Sequence, residues 1–176
     1  AEREHAEKVT ATSLSEDGKL LATAEYNGTF TIRDSATGEI VRKWDTKHPL
    51  SAVAVSAKHD LVCVGDRRSP YRVRLYAIST GEQLAESTGL LNQISRLEFA
   101  ADGRTLVASN SNHMLFVLDP FSLSVRHSIK DDKQAGFNFR LSRDGRTACA
   151  YNPFRKRLNL IDVDSGETVF SQAEMS

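Results

Sequence analysis

Two arginine-rich segments contain the side chains of this sequence that are best suited to bind another molecule. Residues 66–74 read DRRSPYRVR and residues 152–157 read NPFRKR. A guanidinium can hold a carboxylate or phosphate through two parallel hydrogen bonds, and aromatic rings supply contact area at protein interfaces. We therefore expect a basic docking surface for an acidic or phosphorylated segment of a protein partner. Its candidate residues are Arg67, Arg68, Tyr71, Arg72, Phe154, Arg155, Lys156 and Arg157.

The same two segments have a plainer interpretation, as two long loops with solvated charge. The whole chain is balanced, because 23 Lys and Arg face 23 Asp and Glu, so we do not expect a nucleic-acid-binding protein. No apolar run approaches the roughly 18 residues that a membrane span needs, and we expect no membrane insertion. Any docking function must therefore come from local charge.

The cysteines and histidines are not spaced for metal binding or catalysis. Cys63 and Cys149 could form a redox or metal-binding pair, but we expect two small core residues with free thiols, as in a reducing compartment of the cell, cytoplasmic or nuclear. The five histidines have no ligand spacing, and neither a P-loop nor a Gly-x-Ser-x-Gly motif occurs. We expect no metal, no cofactor, no catalytic residue and no enzyme activity.

Two turn motifs recur along the chain with one period of about 42 or 43 residues. One is an Asp-Gly turn followed by Lys or Arg, and the other is a Thr/Ser-Gly-Glu turn. Asp60 and Leu123 occupy positions where the periodic glycine is missing. The glycines of the first turn are Gly18, Gly103 and Gly145, and those of the second are Gly38, Gly81 and Gly166.

Each period contains four short apolar runs, which predict four antiparallel strands joined by tight turns. Four such strands per 40-odd residues are typical of one blade of a β-propeller. We expect one all-β unit over residues 1–176, with blades near 5–45, 46–88, 89–130 and 131–173. The predicted strands are Val9–Leu14, Leu20–Ala24, Phe30–Arg33, Glu39–Trp44, Leu50–Val55, Leu61–Gly65, Val73–Tyr76, Gln83–Ser87, Ile94–Phe99, Thr105–Ser109, Met114–Leu118, Ser124–Ile129, Gly136–Leu141, Thr147–Tyr151, Leu158–Ile161 and Thr168–Gln172.

The repeats resemble the WD40 family. Residues 14–23 (LSEDGKLLAT) and 27–34 (NGTFTIRD) are similar to the family's second strand and to its segment ending in Trp-Asp, and His5 is placed like its Gly-His histidine. The tryptophan of Trp-Asp is absent from all four repeats, whereas its aspartate persists as Asp34, Asp119 and Asp162 and is Ala77 in the second repeat. The resemblance implies a propeller that acts as a non-catalytic scaffold and binds proteins through its rim loops.

Four blades lie at the low end of the size range of propellers, so three assemblies stay open. The chain could belong to a larger ring of seven or eight blades, two copies could complete an eight-bladed ring, or four blades could form an open arc. Two other functions also stay open: a regulatory or sensor module of a larger multidomain protein, and a propeller that binds a ligand or acts as an enzyme at its pore. Each assembly predicts that the outer faces of the first and last blades are covered.

Overall fold

The computed structural model describes residues 8–90, 92–130, 138–152 and 156–173. In these ranges the chain forms sixteen strands in four sheets, each an antiparallel meander of four consecutive strands. We refer to the sheets, in chain order, as blades 1 to 4. The strands are β1 (Val9–Leu14), β2 (Leu20–Glu25), β3 (Thr29–Asp34), β4 (Ile40–Asp45), β5 (Leu50–Ser56), β6 (Leu61–Asp66), β7 (Val73–Ala77), β8 (Gln83–Ser87), β9 (Ile94–Phe99), β10 (Leu106–Asn110), β11 (Met114–Leu118), β12 (Val125–Lys130), β13 (Asn138–Leu141), β14 (Thr147–Asn152), β15 (Arg157–Asp162) and β16 (Thr168–Ala173).

This architecture confirms the predicted all-β propeller with four four-stranded blades. Most strands begin or end one residue away from the predicted bounds, and several are longer by one residue at an end. The pair Asn152 and Arg157, for example, extends the β14–β15 ladder, so Arg157 belongs to a strand and not to the loop before it. Gly136, the predicted start of β13, lies outside the described residues.

The two periodic turns keep their backbone conformation where glycine is absent. Asp60 has φ 59° at the position of the Asp-Gly turns, and Leu123 has φ 59° at the position of the second turn. Both residues therefore adopt the left-handed conformation that glycine adopts in the other blades. The backbone conformation of the turn therefore repeats even in the blades whose sequence lacks the glycine.

The aspartate that persists from Trp-Asp caps the turn between the third and fourth strands. In blade 1, Asp34 Oδ1 accepts hydrogen bonds from the backbone N–H groups of Ala36 and Thr37 at 2.9 and 2.8 Å. The bond from Thr37 is the main cause that holds the pKa of Asp34 below its ordinary value. Blade 2 has Ala77 there, and Asp60 takes over the role by accepting the Ser79 N–H at 2.9 Å. These carboxylates stabilise turns and are explained without a functional site.

Neighbouring blades pack face to face, and we call the face toward the next blade the forward face. Ala22, Cys63, Val107 and Cys149 occupy one matching position on the second strands of the four blades. The first three are fully buried between blades, whereas Cys149, on the last blade, is partly exposed. Between blades 1 and 2, Phe30 of the first blade contacts Tyr76 of the second, with ring centroids 5.1 Å apart.

The first strands of successive blades lie side by side and are connected by hydrogen bonds that involve side chains. Thr10 Oγ1 donates to the Leu50 carbonyl at 2.9 Å, and Ser51 Oγ donates to the Ile94 carbonyl at 2.6 Å. The Leu141 N–H donates to the Glu98 carboxylate at 3.1 Å. Each bond therefore joins residues about one repeat apart in sequence and links two neighbouring blades.

Candidate docking rim

The loops between second and third strands lie at the same end of the blades as the connections from one blade to the next. The Arg67 N–H donates to the Pro49 carbonyl at 2.8 Å, and the Ser111 N–H donates to the Gln93 carbonyl at 2.9 Å. We call this end the rim. Its described loops are residues 26–28, 67–72 and 111–113, and its described blade connections are residues 46–49 and 88–90 with 92 and 93.

Arg67 and Arg68 are held together on the rim by a tyrosine of the preceding blade. The guanidinium carbon of each arginine lies 5.6 Å from the centroid of the Tyr26 ring. Arg68 Nη2 also donates to the Tyr26 hydroxyl at 2.6 Å. Cation–π contact attracts a guanidinium to a ring face, so Tyr26 concentrates two positive charges at the boundary of blades 1 and 2. Tyr26 was not among the predicted site residues, although it lies directly before the Asn-Gly turn of the equivalent loop.

Arg72 lies in a different environment from the two arginines before it. Its side chain is only 20% exposed, and its Nε lies 3.2 Å from Asp66 Oδ2 and its Nη1 3.7 Å from Glu86 Oε1. Arg74 is more buried still, and its Nη2 donates to Asp66 Oδ1 at 2.6 Å. Asp66 is almost fully buried, so both arginines compensate its charge. Arg72 therefore contributes to blade 2 structurally and presents little charge to a partner.

Lys156 and Arg157, the described residues of the second predicted basic segment, lie two blades further along, in blade 4. Lys156 is exposed and has a left-handed backbone, φ 47°, directly before β15. Arg157 is half-buried on β15. Phe154 and Arg155 lie outside the described residues. Tyr71, the remaining predicted residue, is half-buried, and its N–H closes a turn on the Arg68 carbonyl at 3.0 Å.

Between the two basic regions the rim of blade 3 is polar and uncharged. Asn92 Nδ2 donates to Asn112 Oδ1 at 2.8 Å, and Ser111 Oγ donates to Asn92 Oδ1 at 2.7 Å. Asn110 is buried, and its Nδ2 donates to the Leu90 carbonyl at 2.5 Å. These amides fix the blade connection without adding charge, so the basic regions of blades 2 and 4 are separate.

A polar pocket of about 250 Å³ opens where blade 1 meets blade 2, and we call it the seam pocket. One wall is formed by Asp45, at the end of β4, and by Thr46 and His48 of the blade connection. Strands β7 and β8 form the other wall. Burial raises the pKa of the Tyr76 hydroxyl in this wall, so the hydroxyl stays protonated. The residues of this second wall are Arg72, Arg74, Tyr76, Gln83 and Glu86.

A second, larger groove of about 1030 Å³ follows the first strands of the four blades. Both acidic side chains in its lining, Glu16 and Glu98, accept hydrogen bonds from backbone groups of the next blade. Glu16 accepts the Ala57 N–H at 3.1 Å, and Glu98 accepts the Leu141 N–H and lies 3.2 Å from Arg96 Nε. The roles of Glu16 and Glu98 are therefore structural, and neither is a carboxylate poised for acid–base chemistry.

Cys63 and Cys149 are both free thiols in the structure. Complete burial raises the pKa of the Cys63 thiol far above its ordinary value, which makes it unreactive. Within the described ranges no group of three or more His, Cys, Asp or Glu side chains lies close enough to hold a metal ion. The same part of the chain has no helix with the length and apolar character to cross a bilayer.

Comparison with protein families gives a match over residues 1–58 to the family described as anaphase-promoting complex subunit 4 WD40 domain. The chain is 24% identical over 176 residues to the target of rapamycin complex subunit wat1 of Schizosaccharomyces pombe, covering 98% of the chain and 53% of that protein. It is 23% identical over 122 residues to eukaryotic translation initiation factor 3 subunit I of Bombyx mori, covering 62% of the chain and 37% of that protein. The chain thus spans about half or less of the length of these relatives.

Solved structures show the same fold at low sequence identity. One chain of a mitotic checkpoint complex crystal structure superposes with a TM-score of 0.81 at 16% identity, covering 98% of this chain and 53% of that one. A chain of the Kuenenia stuttgartiensis hydrazine synthase superposes with a TM-score of 0.78 at 20% identity, covering 99% and 52%. The fold of this chain is therefore shared with parts of two longer chains.

Proposed function

Because the chain forms four blades of a WD40-repeat-like β-propeller, we propose that it is a non-catalytic scaffold that binds an acidic or phosphorylated segment of a protein partner. The observation that carries this proposal is the pair Arg67 and Arg68 on Tyr26. Side chains held by ring contacts lose less conformational entropy when they bind, and a guanidinium matches the geometry of a carboxylate or phosphate. The rim region of Tyr26, Arg67 and Arg68, with Tyr71 beside it, is the proposed docking surface.

The relatives support a role in protein assemblies. Two of them are named as subunits of multi-protein assemblies, initiation factor 3 and a target of rapamycin complex, and a structural neighbour comes from a mitotic checkpoint complex. By this analogy the chain contributes a recognition surface on a rigid framework, as loops on such frameworks commonly do. The free thiols of Cys63 and Cys149 fit a reducing compartment, so we infer an intracellular location, in the cytoplasm or nucleus.

Lys156 and Arg157 extend the proposal to blade 4, together with Phe154 and Arg155 of the same sequence segment. The neutral rim of blade 3 separates this region from Arg67 and Arg68. An extended acidic segment would therefore bind at two places, with an uncharged stretch between them. Because overall charge is balanced, binding should depend on these local clusters and weaken as salt screens them.

Charge reversal on the rim tests the proposal. The double variant Arg67→Glu and Arg68→Glu should weaken binding of a fluorescein-labelled poly-glutamate peptide by about tenfold or more, as measured by fluorescence anisotropy. The double variant Arg67→Lys and Arg68→Lys keeps the charge but loses the planar fork, and we expect intermediate affinity.

The matched control reverses two exposed arginines in the turn between β13 and β14, at the opposite end of the blades: Arg143→Glu with Arg146→Glu. This variant makes the same change in net charge but leaves the rim unaltered. Equal loss of binding in the control and the rim variant would show that only overall charge matters. No loss in the rim variant would remove the docking proposal.

A further inference from the structure

The rim carries two arginines that pair with no carboxylate of the described chain. Neither Arg67 nor Arg68 lies within ion-pair distance of a described acid, although Asp66 directly precedes them in sequence. Asp66 is buried, and its two oxygens lie 2.6 Å from Arg74 and 3.2 Å from Arg72. Its charge is therefore already compensated inside blade 2. The guanidinium groups of Arg67 and Arg68 are thus available to an anion of a partner.

The hydroxyl of Tyr26 is a third donor at the same place. Its oxygen accepts a hydrogen bond from Arg68 Nη2 at 2.6 Å, whereas its own O–H has no acceptor among the described residues. A hydroxyl that accepts a bond from a charged donor becomes a better donor itself, because linked hydrogen bonds polarise one another. Both guanidinium carbons lie 5.6 Å from the centroid of the same ring. Tyr26, Arg67 and Arg68, which we call the rim cluster, therefore offer three donor groups in one small region.

The loop that carries the two arginines adds backbone donors. The N–H groups of Arg67 and Tyr71 are bonded to carbonyls at 2.8 and 3.0 Å. The N–H groups of Arg68 and Ser69, by contrast, have no acceptor within the described part of the chain, and both residues are exposed. Consecutive backbone N–H groups without internal partners are a common means of binding an anion. The loop therefore favours a ligand that accepts several hydrogen bonds.

Charge and the number of acceptors distinguish the two acidic groups that a protein partner can present. A carboxylate has one negative charge and two oxygens. A phosphorylated side chain has a charge of about −1.5 to −2 at pH 7 and three terminal oxygens. The rim cluster presents two positive charges and three donor groups, to which the N–H groups of Arg68 and Ser69 are added. It therefore matches a phosphate in both charge and acceptor number.

From these contacts we propose that the rim cluster binds the phosphate group of a phosphorylated residue in the partner, in preference to a carboxylate, and that the Tyr26 hydroxyl donates one of the hydrogen bonds. Tyr26 then has two roles, because its ring holds the guanidinium groups and its O–H contacts the ligand. This inference rests on the proposed docking function and selects one of its two classes of ligand.

Peptide selectivity tests the choice of phosphate. Three fluorescein-labelled peptides share one Gly-Ser sequence and carry phosphoserine, one glutamate or two adjacent glutamates at the centre. We expect the phosphoserine peptide to bind the wild-type chain with a Kd about tenfold lower than either glutamate peptide, as measured by fluorescence anisotropy. The peptide with two glutamates matches the charge of the phosphopeptide, so its weaker binding shows recognition of the phosphate itself. Unlabelled inorganic phosphate should compete with the phosphopeptide.

Tyr26→Phe separates the hydroxyl from the ring. The variant keeps a ring for both arginines, and we expect the Kd of the phosphoserine peptide to rise about fivefold, whereas that of the single-glutamate peptide changes by less than about twofold. The matched control is Tyr151→Phe, which removes a tyrosine hydroxyl in blade 4, outside the rim cluster, and should bind both peptides like the wild type. Equal weakening of both peptides by Tyr26→Phe would contradict a hydrogen bond from its hydroxyl to the phosphate.

Equal Kd values for the phosphoserine peptide and the peptide with two glutamates would overturn the assignment to phosphate. If both peptides are then released by Arg67→Glu with Arg68→Glu, the docking function stands and only its restriction to phosphate fails. If this charge reversal changes the binding of neither peptide, the rim is not the docking surface and both proposals fail.

Discussion

Strands β6 of blade 2 and β14 of blade 4 occupy the same place in the repeat but differ in burial. Every residue of β6 is buried, whereas along β14 the buried residues Ala148 and Ala150 alternate with partly or largely exposed ones. A strand covered on both faces is buried throughout, and a strand covered on one face alternates. The difference shows that burial here is set by the neighbouring blades more than by the repeat sequence.

The forward faces of the two blades differ also in the size of one side chain. Gly65 in β6 and Tyr151 in β14 are equivalent, and blades 1 and 3 have Ala24 and Ser109 there. A side chain added at Gly65 would place its Cβ 2.6 Å from the Ile94 side chain, so the next blade requires a very small residue. Tyr151 is 38% exposed. The forward face of blade 4 therefore carries a large side chain at the position where blade 2 has none.

A buried charge gives the largest expected difference between interior and outer blades. Val107→Asp places a carboxylate between blades 3 and 4 at a fully buried position, and we expect a loss of about 4 kcal/mol of unfolding free energy. Cys149→Asp introduces the same carboxylate at the matching position of blade 4, where water reaches the side chain. It should lower the unfolding free energy by only about 1 kcal/mol. Urea denaturation measures both. Equal losses would mean that the forward face of blade 4 is as dry as an interior seam.

A smaller difference follows from removing apolar volume at a second pair of equivalent sites. Leu75 pairs with Cys63 and is fully buried, and Leu160 pairs with Cys149 on blade 4 and is half-buried. We expect Leu75→Ala to lower the unfolding free energy by about 3 kcal/mol and Leu160→Ala by about 1 kcal/mol, because only the first leaves a closed cavity. Thermal unfolding of both variants, compared at one temperature, checks the order. A greater loss for Leu160→Ala would contradict the comparison.

The predicted strands and turns came from signals that lie within one repeat. Alternating apolar residues and Asp-Gly turns are local signals. The sequence therefore also identifies Asp60 and Leu123 correctly as the residues at the two turn positions where glycine is absent. The organisation of the candidate docking rim depends on pairs about one repeat apart, such as Tyr26 with Arg68. Such pairs leave no local pattern, which is why Tyr26 was missed and Arg72 was grouped with the exposed arginines.

The smallest of the three differences concerns the aspartates that cap turns in blades 3 and 4. Asp119 accepts the Ser122 N–H at 3.0 Å and Arg126 Nη2 at 2.6 Å, and the arginine is the main cause that lowers its pKa to about 2. Asp162 caps the equivalent turn through Ser165, but the position of Arg126 is occupied in blade 4 by Val169. The two carboxylates therefore share the turn and differ in the ion pair.

Because the pKa of Asp119 is lower in the folded than in the unfolded chain, its charge stabilises the fold above pH 3.8, and this contribution is lost as the pH falls toward about 2. Asp119→Asn keeps the hydrogen-bond acceptor and removes the charge. At neutral pH it should lower the unfolding free energy by about 1 kcal/mol, a small figure because solvent screens the half-exposed arginine. Asp162→Asn should cost less. Urea denaturation of both variants across this pH range tests the sign: the deficit of Asp119→Asn must shrink as the solution is acidified. A deficit that stays constant would mean that the Asp119 charge does not stabilise the fold, which would contradict its lowered pKa.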